Sequence, residues 1–161
     1  MLRERVREGV RSGFVAAAAT AGVLLGFGIA RGAAMRPINS VAHILIGSRA
    51  YYMAGFDWVV TPLAALLHVA LTCVGATLFA MLAVRTDGAK LYALAAAYAV
   101  ALWSVIEFVL SPRLRPGFES GLSNAEILIV YLVMTLVLAR VLAHERGATF
   151  HDAARTVEPG N

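Results

Sequence analysis

The sequence predicts an all-α integral membrane protein: a bundle of four transmembrane helices, with a short interfacial or re-entrant helix between the first and the second. Three observations predict it. Of the 161 residues, 60% are apolar and only 15% are charged, against roughly 45–50% and about 25% in soluble domains. The mean hydropathy is +0.74, and a soluble domain of this size exposes too much surface to hide that much apolar area. The apolar residues also gather into four runs, about 13–30, 59–84, 91–110 and 125–143, each near the ~20 residues a helix needs to cross hydrocarbon. Open strands would leave backbone groups unpaired in lipid, and the alternating short segments of a closed barrel are not visible. A single domain over residues 1–146 is expected, followed by a polar, flexible tail over 147–161.

The first run follows a basic start, which raises the question of a signal peptide. It is long for a signal sequence, and Ala33 and Ala34 make a weak cleavage site, so a retained helix is the better reading. Upstream, Glu4 and Glu8 alternate with Arg3, Arg7 and Arg11 at helical spacing, which can extend the helix past the membrane. Gly22 and Gly26 form a GxxxG pair, a packing face for another helix.

The 28 residues from 31 to 58 are too many for a simple connection. Pro37, Asn39 and Ser40 signal a helix start and Gly47 a stop. The enclosed segment, residues 38–47, is too short to span, so it lies on the membrane surface or dips into it. Tyr51, Tyr52, Phe56 and Trp58 follow as an interfacial aromatic belt.

In the second run Gly75, Ala76 and Ala80 offer a packing face, as do Ala93, Ala97 and Ala101 in the third. Asp87-Gly88 marks a tight turn, so spans two and three are expected to be antiparallel neighbours. The third loop carries Pro112, Pro116 and Gly117, and Arg113 and Arg115 are expected to anchor it at the interface. Ser123 or Asn124 can cap the fourth helix, with Glu126 in its first turn.

The net charge is +4 and the sequence pI about 9.7. The basic residues stand at the ends of apolar runs, which fits anionic lipid headgroups rather than nucleic acid. Nine Lys and Arg fall on the side of the two termini and the second loop, and five on the other. That asymmetry places both termini in the cytoplasm. The single cysteine, Cys73, reads as a packing residue.

Ionisable residues inside a span are costly and find partners. His68 lies near the middle of span two, and Glu107 near the end of span three. A backbone carbonyl or Thr72 would satisfy His68, and Arg113 or Arg115 would pair with Glu107. The two would pair with each other only across an axial offset of roughly 9 Å. A haem held by His43 and His68 is the least favoured alternative, and no cofactor or metal is expected. No nucleophile with its base, phosphate loop, HExxH or cysteine pair is present, and Ser40, Ser104 and Ser123 lack an activating partner.

Three places carry a resemblance: Asn39-Ser40 with His43 and Gly47; His68 with Phe79-Ala80; and Glu107 five residues before Pro112, with Arg113 to Glu119 following. There the chain resembles a group of small, uncharacterised four-span bacterial inner-membrane proteins. The resemblance implies the topology and no activity. The residues themselves favour a non-catalytic membrane protein acting by association, as an accessory subunit or a homo-oligomer. A small transporter or proton conductor using His68 and Glu107 is the alternative, and a haem- or quinone-linked redox protein the third reading.

Overall fold

The computed structural model describes residues 2–110 and 122–156, with side chains over 2–109 and 122–147. The described residues form an all-helical bundle with four helices long and apolar enough to cross a membrane. In chain order these are α1 (Leu2–Ala30), α4 (Val60–Leu82), α5 (Ala89–Ser104), whose span runs on to Val109, and α6 (Asn124–Thr156), whose span ends at Gly147. Between α1 and α4, residues 36–52 fold into four short helical turns: α2 (Arg36–Asn39), a 3₁₀ turn (Ser40–Ala42), α3 (His43–Ile46) and a second 3₁₀ turn (Gly47–Tyr52). Two of the expected boundaries shift. The helix of the first span begins at Leu2, because the charged turns ahead of it continue it without a break. The last helix continues to Thr156, well into the stretch expected as a flexible tail, where no proline intervenes before Pro159.

Lipid is as apolar as leucine, so van der Waals fit and interhelical hydrogen bonds decide which helices pair. The tightest fit is between α1 and α4. A Cβ on Gly9 would overlap the backbone of Thr77, and one on Gly13 would stand 2.8 Å from Cys73 Cα. Ala16, Ala17 and Thr20 continue this small-residue face, and all are buried. The contacts pair ascending positions on α1 with descending ones on α4, so the two helices are antiparallel.

This pairing corrects two expectations. The GxxxG pair that closes the bundle is Gly9 and Gly13, whereas Gly22 and Gly26 are exposed with open space over them. Ala93, Ala97 and Ala101 are also exposed, and α5 buries Leu91, Ala95 and Ala99 instead. Spans two and three are not close neighbours along their lengths. The helix α4 packs on α1, and α5 packs on α6. Across the gap, Tyr98 donates to the Gly75 carbonyl at 2.9 Å, its ring 5.5 Å from that of Phe79. The turn between them forms as expected at Gly88, with φ +58°.

Two apolar clusters fill the bundle. Phe79, Leu91, Leu138 and Leu142 anchor the one nearer the termini. Leu24, Ile38, Val41, Ala42, Ala64 and Val130 form the other. The second cluster decides the position of the short turns. Ile38, Val41 and Ala42 are buried against α1, α4 and α6, so this segment enters the end of the bundle as a cap. Its opposite side, Ile44 and Leu45, remains exposed.

Candidate functional site

Polar side chains tie the bundle at three levels. In the cap, Asn39 is fully buried. Its amide donates to the carbonyls of Met53 at 3.0 Å and Gly55 at 2.9 Å. Its oxygen accepts from the Thr61 hydroxyl at 2.8 Å. Both amide protons and one oxygen lone pair are therefore used. Thr61 also accepts from the Asp57 N–H at 3.0 Å. The Asp57 carboxylate in turn takes the N–H groups of Val59 at 2.9 Å and Val60 at 2.8 Å, which caps α4. Those two N–H groups hold the Asp57 carboxyl below its ordinary pKa. The sequence singles out Asn39, but Thr61 and Asp57 carry no signal beyond the start of an apolar run.

In the middle, His68 turns toward α1. Its Nε2 lies 2.9 Å from Thr20 Oγ1 and 3.3 Å from the Ala17 carbonyl oxygen. Thr20 donates its one proton to the Ala16 carbonyl at 2.8 Å, and a carbonyl cannot donate. The tautomer with the hydrogen on Nε2 satisfies both contacts. The backbone-carbonyl partner expected for His68 is that of Ala17, and Thr72 is not involved. The partner Thr20 lies 48 residues away in sequence, too far for local spacing to reveal.

Glu107 sits apart from this tie. It lies half-buried in a π-helical stretch, Val105–Leu110, that continues α5. The wider turn brings Trp103 and Phe108 edge to face at 5.5 Å. The expected partners of Glu107, Arg113 and Arg115, lie outside the described residues. His43 stacks on Tyr51, with centroids 4.3 Å apart. Tyr52 and Trp58 are 80% and 86% exposed, open as interfacial anchors require.

At the ends, two arginines do work that a charge count does not foresee. Arg31 reaches both carboxylate oxygens of Glu126 at 2.6 Å. Glu126 also accepts from the Ser123 N–H at 2.7 Å, so a capping box and an ion pair join α1 to α6. Arg146 donates to the carbonyls of Thr86 at 2.8 Å and Ala83 at 2.9 Å, and to Asp87 at 2.9 Å. It thereby clamps the turn after α4, where the Ala83 carbonyl also accepts from the Thr86 N–H at 3.1 Å. Together the helices and their ties define a multi-pass, all-helical membrane protein. No family model, curated protein or solved structure matches the chain.

Proposed function

We propose that this chain is a non-catalytic membrane protein that works by association, as a subunit of a larger membrane complex or as a homo-oligomer. One observation carries the reading. His68 and Asn39 are spent on internal ties, to α1 and within the cap, while two small-residue faces, Gly22 with Gly26 and Ala93 with Ala97 and Ala101, face outward. Small residues let another helix approach closely in lipid. Proton conduction through His68 and Glu107 has less support, because His68 faces α1 and shares no contact with Glu107.

The lysine and arginine asymmetry supports both termini being cytoplasmic, the resemblance implies a bacterial inner membrane, and the exposed basic residues suit anionic headgroups. The test is purification from native membranes in mild detergent, with identification of whatever accompanies the chain at fixed stoichiometry. A stoichiometric partner or a defined homo-oligomer is expected. A monomer that loses every companion under conditions that keep it folded would overturn the reading.

A further inference from the structure

The outward stripe of α6 ends in two basic side chains. Ile129, Leu136, Arg140 and His144 are all exposed and recur at helical spacing, so they share one side of the helix. That side lies about half a turn round from Leu138 and Leu142, which are fully buried with Phe79 and Leu91. Ile129 and Leu136 are large aliphatic residues. Helix contacts in lipid favour small residues instead, so this stripe suits acyl chains rather than another helix.

Arg140 stands inside the span. Arg146 donates to the carbonyls of Thr86 and Ala83, which puts it level with the turn between α4 and α5. Arg140 precedes it by six residues, about 9 Å deeper, and the span continues past it to Gly147. Among the described residues, neither Arg140 nor His144 makes a hydrogen bond or an ion pair. The nearby carboxylates are engaged elsewhere, Glu145 with Arg11 at 3.5 Å and Asp87 with Arg146 at 2.9 Å. A charge inside a span is costly against lipid and finds a partner. On a lipid-facing stripe, the counter-charge at hand is a lipid phosphate. Arginine keeps its stem on apolar surface while its head reaches headgroup level. Residues four apart are neighbours on a helix surface, so the guanidinium of Arg140 and the imidazole of His144 can meet one phosphate. Arg85 and Lys90, exposed in the adjoining turn, add positive potential at this end, which favours a net anionic lipid over a zwitterionic one.

We propose that Arg140 and His144 bind the phosphodiester of an anionic phospholipid, in the leaflet on the side of the termini. The guanidinium supplies two parallel donors, the imidazole supplies another, and Leu136 lies one turn deeper beside the acyl chains. This narrows the general affinity of the basic ends for anionic headgroups to one site, and it does not depend on the association reading.

The experiment is native mass spectrometry of the full chain in mild detergent, titrated with phosphatidylglycerol or with phosphatidylcholine of the same acyl chains. The wild-type chain should bind its first phosphatidylglycerol about tenfold more tightly than phosphatidylcholine, and Arg140→Gln should abolish that difference, as expected for the loss of a charge-assisted hydrogen bond. His144→Ala should weaken phosphatidylglycerol binding a few-fold, and it reports on the site even where loss of Arg140 impairs folding. Arg85→Gln removes a positive charge from the turn and should leave the preference in place. Equal affinity of the wild-type chain for the two lipids overturns the site, as does an unchanged preference in both Arg140→Gln and His144→Ala. An equal loss in Arg85→Gln also overturns it, by assigning the preference to net charge alone. Arg140→Gln that sheds a protein companion but keeps its lipid assigns the arginine to a partner subunit instead. Oligomer mass and lipid occupancy are read separately in the same spectra, so failure of the lipid site is distinct from failure of the association reading.

Discussion

Adding one methyl group at Gly13 tests whether the approach of α1 to α4 holds the bundle together. The new Cβ would stand 2.8 Å from Cys73 Cα, 3.0 Å from Cys73 Sγ and 3.2 Å from Ala76 Cβ. Carbon atoms rest at about 3.5–4.0 Å, so the helices must part locally by about 1 Å. Overpacking of this kind costs about 1–3 kcal/mol. His68 and Thr20 meet two turns further along at 2.9 Å. The same displacement there stretches the contact to about 3.9 Å, beyond hydrogen-bonding distance. Losing it adds about 0.6–1.7 kcal/mol. Gly75→Ala is the matched control, because it lies on α4 with nothing within 4 Å of its added Cβ. Both replacements gain the same helix propensity, up to about 1 kcal/mol, so their difference isolates the packing cost. Reversible unfolding in mixed micelles, followed by the fluorescence of Trp58 and Trp103, should place Gly13→Ala about 2–4 kcal/mol below Gly75→Ala. Equal stability of the two would refute the close-approach argument.

Three further outcomes follow from the polar ties. A double-mutant cycle of His68→Leu and Thr20→Val should give a coupling of about 0.6 kcal/mol and at most about 1.7; additive effects would mean that the two groups do not interact. Asn39→Ala leaves the carbonyls of Met53 and Gly55 without their donor and should cost about 1–3 kcal/mol, with faster proteolysis of residues 47–57; wild-type protection would count against the tie. Asp57 has a folded pKa below its ordinary 3.8, so its capping contribution is complete above that value and is lost as pH falls through the lower folded one. Amide exchange at Val59 and Val60, corrected for its intrinsic pH dependence, should show constant protection from neutral pH to about pH 4 and a decline below. In Asp57→Ala that step should be absent, and its persistence would assign the step to another group.

The spans are legible because a membrane demands about twenty apolar residues in succession, and that demand is written locally. The inward faces are not. In water an inward face is apolar and an outward one polar, but in lipid both are apolar, so Ala93 and Ala95 look alike though only Ala95 is buried. The functional GxxxG pair was hidden for a related reason. Gly9 and Gly13 flank Arg11 and Ser12, and such a polar stretch reads as lying beyond the membrane. Asn39 and His68 stand out because polar groups are rare in such surroundings. Their partners do not, since Thr61 and Thr20 are ordinary residues brought close only by folding. Arg146 counts in the sequence as one positive charge, while its geometry makes it the closure of the turn at Gly88.

The partners of Asn39 have a bearing on biogenesis. Met53, Gly55 and Thr61 all follow it in the chain, the last by 22 residues, and the chief partner of α1 is α4. The hydrogen-bond partners of Asn39 and the α1–α4 contact are thus synthesised before α5 emerges, whereas α5 must await α6, which also adds Val130 to the cap's apolar cluster. The chain is laid out in two successive instalments. During translation the first can be complete in the bilayer while the second is still inside the ribosome.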